Sequence, residues 1–379
     1  MVSSRDEPTT SEMRHDWLSD RWVIMAPHRT SRPVEFMRQP AKTRAKEQCP
    51  FCHGHERETP NPVSCYFHRP ASSGDSRWQV RVVPNKFPAV QSESYGRAAD
   101  SENLIALGLD HELNEASRTV WPKAVAETQK ATASLSAVDL FKRRDLSGGH
   151  EVIIEGPDHV QSLTQLTPMT AKLVFKAYRD RLHYWLVERE MAYAVVFKNV
   201  GLEAGASIVH SHSQLIATDI LPTDVARSAG RMSLFYERED DCLVCRTVQD
   251  ELDQRVRVVE ETRQFVAYCP FASRLPSLVS IVPKQHHSQI ELLDDESLGE
   301  LSWLAHRLIR RIEHCYPDTA YNYVIHTAPR CQQNSCSFHW RMELFPRLST
   351  VAGFEWGSEC YINPLPPELA AHLLRVAGV

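Results

Sequence analysis

Nowhere in its 379 residues does the chain carry an unbroken apolar run of the roughly 18 residues that a membrane-spanning helix needs. The first 20 residues, MVSSRDEPTTSEMRHDWLSD, also lack the apolar stretch of a signal peptide, so the expectation is a cytoplasmic protein. Excess positive charge is missing too. Lys and Arg number 43 against 48 Asp and Glu, a net charge of −5. This argues against a nucleic-acid binder but leaves room for a local basic pocket for one phosphorylated small molecule. A disulfide framework is the fourth absence. Of ten cysteines, four fall into two Cys-x-x-Cys pairs, Cys49/Cys52 and Cys242/Cys245, and Cys65, Cys269, Cys315, Cys331, Cys336 and Cys360 are scattered. Without an export signal, such pairs read as metal or redox chemistry. Redox is the weaker reading, because Gln48 to Gly54 looks like a turn or knuckle rather than a strand leading into a helix start.

What is present is ordinary globular composition, 42% hydrophobic and 24% charged, enough for one or two cores. Within it, metal-ligand residues recur in order. The first half offers Cys49, Cys52, His159 and His210; the second offers Cys242, Cys245, His286 and His339. His159 and His286 each end a strand-like run just past a proline, Pro157 or Pro283. Each is followed by a polar turn and an amphipathic helix, expected near Thr170–Glu188 and Glu296–Cys315, and then by a strand leading to the last ligand. Two thiolates with two imidazoles suit tetrahedral zinc, so one zinc site is expected in each half. In the second, His287 or His326 competes with His286 as third ligand.

The segment His210-Ser211-His212-Ser213-Gln214 lies between strand-like stretches (Tyr193 to Phe197 and Leu215 to Ala217) and follows the small residues Gly205-Ala206-Ser207. It is read as extended, with its two imidazoles on opposite sides, one serving structure while the other faces a pocket. A neutral imidazole is a competent nucleophile toward phosphorus near pH 7. Gln214, on the same strand face as His212, can donate an amide N–H to a phosphoryl oxygen without protonating the nucleophile.

With these features, and with Arg21-Trp22-Val23-Ile24, Cys49-Pro50-Phe51-Cys52, Val83-Pro84-Asn85-Lys86-Phe87, Pro157-Asp158-His159, Phe197-Lys198-Asn199 and Gly353-Phe354-Glu355 in order, the chain resembles the galactose-1-phosphate uridylyltransferase family of the histidine-triad superfamily. The resemblance runs from about Arg14 to the C-terminus. It implies an α+β fold of duplicated histidine-triad-like repeats, antiparallel sheets carrying helices, divided here as residues 14–222 and 223–379, and the spacing of apolar runs gives five or six strands for each. Connectors are expected near 69–76, 142–149 and 328–337, the last a mobile loop. The implied reaction is a double displacement in which His212 attacks the α-phosphorus of a nucleotide sugar, releases a sugar 1-phosphate and passes the nucleotidyl group to a second phosphate. By the same resemblance His210 is a zinc ligand, Asn85 and Asn199 contact ribose or phosphate, and Glu355 binds sugar hydroxyls across a homodimer. Backbone amides of Gly205, Ala206 and Ser207 are expected to approach phosphate, and Arg29 and Arg32 to bind it.

The resemblance departs from the galactose enzyme at two places. That enzyme is described with a metal on Glu and three His, two in a His-x-His pair, where this chain has Glu343 and Phe345. The second Cys-x-x-Cys with His286 and His339 resembles the ADP-glucose phosphorylase branch instead, and the motif reads His-Ser-His rather than His-Pro-His. Uridylyl transfer between UDP-glucose and galactose 1-phosphate is the leading expectation, phosphorolysis of ADP-glucose the alternative. A non-catalytic zinc scaffold that binds nucleotides is the rival of another class.

Overall fold

Alternating buried strands of valine, isoleucine and tyrosine build one long antiparallel sheet. The computed structural model describes residues 10–31, 48–68, 77–90 and 144–377. Met1–Val90 with Gly148–Val379 form one unit and Gln91–Ser147 a second; all described strands and helices belong to the first.

The main sheet has ten strands: β3 (Ser64–Tyr66), β4 (Val80–Pro84), β5 (Gly148–Glu155), β6 (Tyr193–Val200), β7 (His212–Thr218), β8 (Val258–Glu261), β9 (Phe265–Tyr268), β10 (Val279–Pro283), β11 (Tyr321–His326) and β12 (Arg341–Pro346). Their order is β3-β4-β5-β7-β6-β11-β12-β10-β9-β8, so the second five strands repeat the first five outward from the central β6–β11 pair. Across that pair Asn199 faces Asn322 and Lys198 faces Tyr323. A separate sheet joins β1 (Glu12–Asp16), β2 (Arg21–Met25) and β13 (Tyr361–Asn363).

Helix α1 (Pro168–His183) starts on a Thr167 cap that accepts from the Thr170 N–H, with proline in its first turn. It continues through a π-helical turn over Tyr184–Glu188. The other helices are α2 (Thr223–Glu239), α3 (Leu243–Gln254), α4 (Asp295–Cys315), α5 (Gly353–Ser358) and α6 (Pro367–Val376). In α4, Asp294 caps the Ser297 N–H, and Leu298, Leu301, Leu304, Leu308 and Ile312 bury one stripe. Helices α1 and α4 pack together, as the helical periodicity of the sequence requires.

Two expected connectors come out differently. Gly148 and Gly149 are not loop but the buried start of β5. A Cβ on Gly149 would lie 2.1 Å from the Trp185 ring, and one on Gly148 would lie 2.0 Å from the Ala217 carbonyl oxygen. Glycine is there for close packing, which a local reading takes for flexibility. The 328–337 segment is tied down rather than loose: Asn334 N–H donates to Gln289 Oε1 at 2.9 Å, and Arg330 reaches Glu190 at 2.6 Å. The 69–76 connector and residues 142–143 lie outside the described residues.

Beneath β7, on the helix side, sits a buried polar network. Lys198 and Glu155 are both 0% exposed and pair at 2.5 Å. Lys198 Nζ also donates to Ser211 Oγ at 2.9 Å and to the His212 carbonyl at 3.1 Å. Glu155 accepts from Ser211, Ser213 and the Tyr178 hydroxyl of α1, and Tyr323 of β11 joins through Tyr178. Burial pushes the Glu155 carboxyl up, but the Lys198 ammonium and these donors outweigh it and hold it below the ordinary carboxylate range. Removing one partner of such a pair strands the other charge in the core. Lys198→Met is therefore expected to cost about 3–5 kcal/mol in urea unfolding, and adding Glu155→Gln to recover part of that loss. Simple additivity of the two changes would show that the pair is not coupled.

Candidate active site and metal centres

The two Cys-x-x-Cys turns each meet two histidines that the fold carries in from far along the chain. In the first group, Cys49 Sγ lies 3.6 Å from His210 Nδ1, and Cys52 Sγ lies 3.4 Å from His159 Nδ1 and 3.5 Å from His210 Nδ1. In the second, Cys245 Sγ is 3.5 Å from His286 Nδ1 and 3.4 Å from His339 Nδ1, with Cys242 Sγ 3.9 Å from His339 Nδ1. In each group all four donor atoms lie within 4.8 Å of one another. Tetrahedral zinc, with Zn–S about 2.3 Å and Zn–N about 2.0–2.1 Å, sets S and N donors about 3.5 Å apart. The spacing, and the thiolate-imidazole chemistry, fit such an ion in both groups. Outer hydrogen bonds also fit: His210 Nε2 reaches the Gly156 carbonyl at 3.0 Å and His286 Nε2 the Ser335 carbonyl at 3.0 Å, fixing Nδ1 toward the thiols. Neither expected competitor joins this second group: it is assembled with His286, and His326 lies beside Glu343 at 3.6 Å.

The ring of Phe51 contacts both His210 and His212, with centroids 6.0 and 5.3 Å away. The two imidazoles therefore share one side of the chain, and their expected placement on opposite sides is corrected: residues two apart in an extended segment share a face. Their roles separate by nitrogen instead. His210 turns Nδ1 to the thiols. His212 sets Nδ1 at 2.8 Å from the His210 carbonyl. It must donate there, which leaves Nε2 unprotonated with its lone pair outward. Burial, seconded by the nearby Lys198 ammonium, holds His212 below the ordinary imidazole range against the pull of its backbone hydrogen bond. The ring is thus neutral at pH 7. Desolvation likewise holds His210 down, at about 4. The two serines of the motif point the other way, into the Glu155–Lys198 network.

Gln214 shares the His212 face, as expected. Its register partners there are Val152 on β5 and Phe197 on β6, while Ile154 lies opposite His212. One site residue was missed by sequence reasoning: His150, whose Nε2 is 2.8 Å from Gln214 Oε1. A histidine next to Glu151 in an otherwise apolar strand was the available signal. Asn85 packs against the same His150 ring, 3.0 Å from Nε2, and Asn199 is held by Asn322 at 2.8 Å. The small-residue loop is only partly as expected. Gly205 sits at φ +88° with its N–H on the Leu202 carbonyl, and the Ala206 N–H is taken by Gly201. Both amides are spent within the turn, which leaves exposed Ser207 as the group able to reach a ligand.

Other expected ligand residues make no described hydrogen bond to His212 or Gln214. Arg29 lies in the short turn after β2, and Gly353, Phe354 and Glu355 begin α5 beside β13, with Glu355 accepting the Ala352 N–H at 3.0 Å. None shares the hydrogen bonds that organise β7. Arg32 lies outside the described residues. In the second half, two residues beyond His339, Arg341 and Glu343 occupy the positions of His212 and Gln214. They pair with each other at 3.2 Å, and Arg274 joins Glu343 at 2.8 Å. This charged trio lines a cavity of about 220 Å³ that His212 does not touch. An acid held by two guanidiniums is no nucleophile toward phosphorus, so among the described residues the duplicated motif positions carry one candidate nucleophile, His212.

Comparison with known proteins agrees with this geometry. Residues 18–375 match the family described as a domain of unknown function, DUF4921. The chain is 32% identical over 373 residues to an ADP-glucose phosphorylase of Arabidopsis thaliana, covering 97% of this chain and 93% of that one. It is 25% identical to a galactose-1-phosphate uridylyltransferase of Thermotoga maritima, covering 97% and 99%. Among solved structures, an Arabidopsis thaliana ADP-glucose phosphorylase with bound ADP-glucose superposes with a TM-score of 0.73 at 30% identity, over 97% of this chain and 98% of that one. A uridylyltransferase structure at 23% identity and TM-score 0.66, over 97% and 98%, shows the shared fold. The chain belongs to the galactose-1-phosphate uridylyltransferase and ADP-glucose phosphorylase family, nucleotidyltransferases of histidine-triad-like α+β fold.

Proposed function

We propose that the chain transfers a nucleotidyl group from a nucleotide sugar through a covalent adduct on His212. The observation that carries this reading is the neutral imidazole locked at Nδ1 by its own strand, with Nε2 outward beside Gln214. In the first step Nε2 bonds to the α-phosphorus, the bond to the bridging oxygen breaks, and the electron pair leaves on the sugar 1-phosphate. In the second, an acceptor oxygen bonds to that phosphorus and the P–N bond breaks, returning the ring to neutrality. Gln214 donates to a phosphoryl oxygen in both steps. Asn85, Asn199 and Ser207 serve the ribose and phosphates. Zinc, when bound, would hold the Cys49–Cys52 turn against His210 and so fix the backbone that orients His212.

The acceptor already carries its negative charge. On the His212 face, β5 presents His150, Val152 and Ile154, β6 presents Val195, Phe197 and Asn199, and β7 itself presents no carboxylate; Glu151 and Glu155 face the helices. Among the described residues of these three strands no carboxylate faces His212, and phosphate or a phosphate monoester, whose attacking oxygen is already anionic, is the fitting acceptor. Phosphorolysis of ADP-glucose is the reading best supported, by the assembled second Cys-His group and by the higher identity to the phosphorylase. Uridylyl transfer to galactose 1-phosphate is the second reading, favoured by full-length similarity to the uridylyltransferases. We further place two repeats at 14–222 and 223–379, and a homodimer in cytoplasm in which Gly353, Phe354 and Glu355 of one protomer complete the other's site, Arg29 and Arg32 adding positive charge.

Incubation with ADP-glucose or UDP-glucose should raise the intact mass by one nucleoside monophosphate, and the preferred donor identifies the base. His212→Gly should lose the adduct and on the order of 10³-fold or more in turnover. No adduct with either donor would favour the non-catalytic zinc scaffold. Labelled phosphate entering a nucleoside diphosphate marks the phosphorylase; exchange confined to sugar phosphates marks the transferase. Metal analysis should find about two zinc ions per chain, falling to about one in Cys245→Ser with the adduct retained, whereas Cys52→Ser should lose zinc and adduct together. Unchanged zinc in both variants would refute the metal assignment.

A further inference from the structure

We propose that His150 and Asn322 are positioning residues, each turning one amide of the site so that its N–H₂ end faces the reacting phosphoryl group. The proposal rests on the nucleotidyl-transfer reading and adds to it two residues outside the recognised motif. Each orientation starts from a backbone N–H or carbonyl, whose hydrogen-bonding sense cannot change.

The Ala89 backbone N–H lies 3.1 Å from His150 Nδ1. A backbone N–H can only donate, so Nδ1 accepts and the ring proton sits on Nε2. Two amides approach Nε2: Gln214 Oε1 at 2.8 Å and Asn85 Nδ2 at 3.0 Å. An Nε2–H can serve only the acceptor, so it donates to Gln214. Asn85 is itself fixed, because its Oδ1 accepts the Phe87 N–H at 2.9 Å. With Oε1 taken, the Gln214 amide presents its nitrogen to the pocket.

The same logic runs from the other half of the sheet. Asn322 Nδ2 lies 2.9 Å from the Ala204 carbonyl, a group that can only accept. The Asn322 nitrogen is therefore the donor, and the Asn199 atom 2.8 Å from it must be Oδ1. Asn199 then turns its nitrogen toward the Gly205 turn; a Cβ built there would lie 3.6 Å from it. Without these partners each amide is free to flip, and a flipped amide aims a carbonyl oxygen at an anion. The duplicated fold thereby reaches into the single active site: β11 of the second half orients an amide on β6 of the first.

The test uses the full chain with ADP-glucose and UDP-glucose as donors. His150→Leu should slow single-turnover adduct formation on the order of 10- to 100-fold, below the 10²–10³ typical of deleting a donor outright, with KM changed less than about threefold. His150→Gln, which keeps an amide donor near the Nε2 position, should recover most of that rate. Asn322→Asp, nearly isosteric but unable to donate, should slow the step about 10-fold. An His150→Leu rate equal to wild type overturns the proposal, as does His150→Gln behaving like His150→Leu. A readout independent of turnover is the ring tautomer, seen by long-range ¹⁵N–¹H correlation. A proton on Nε2 is expected, and a proton on Nδ1 overturns the assignment even in a variant that folds poorly. Absence of any adduct in wild type, with Nε2–H observed, would count against the transfer reading and leave the amide orientation standing.

Discussion

The Glu155–Lys198 pair is the constraint on which the site depends. Two opposite charges with no access to water hold each other, and between them they occupy both serines of His-Ser-His-Ser-Gln and the carbonyl of His212. A strand alternates its side chains. Clamping Ser211 and Ser213 toward the helices thus obliges His210, His212 and Gln214 to face the other way. Register on this strand is a chemical matter. A slip of one residue would turn His212 toward Tyr178 and carry Ser211 and Ser213 away from the Glu155–Lys198 pair.

The first Cys-His group completes that constraint from outside the sheet. His210 lies two residues before the start of β7, and its two nitrogens are committed to the thiols and to the Gly156 carbonyl. The backbone entering β7 is therefore fixed on the helix side by an ion pair and on the ligand side by four metal-type donors. His212 sits between two anchors, and its Nδ1 takes the carbonyl of the anchored residue itself. A neutral, preoriented imidazole is the consequence.

Duplication supplied the scaffold, and divergence supplied the chemistry. Both halves contribute five strands, a helix on the same face and a Cys-x-x-Cys group. Only one half keeps His and Gln on the strand after its last ligand. The other puts Arg341 and Glu343 there, bound to each other and to Arg274, where they form a structural charge cluster rather than a reactive site.

Much was legible from the chain alone. Ligand order, helix periodicity in α1 and α4, and the five-residue motif are local patterns, and local patterns survive in sequence because short-range geometry writes them. Both Cys-His groups, the shared strand face of His212 and Gln214, and the α+β class followed from them. What the sequence could not decide was direction and partnership. Whether Gly148-Gly149 is a hinge or a close approach depends on where Trp185 lands. Whether the amides of Gly205 and Ala206 face a phosphate depends on whether their own turn consumes them. His150 and Asn322 look like any strand residues until β5 and β11 bring them beside Gln214 and Asn199. Hydrogen-bond sense passes through space from a backbone group to a side chain to the next, and only the folded sheet fixes who stands next to whom.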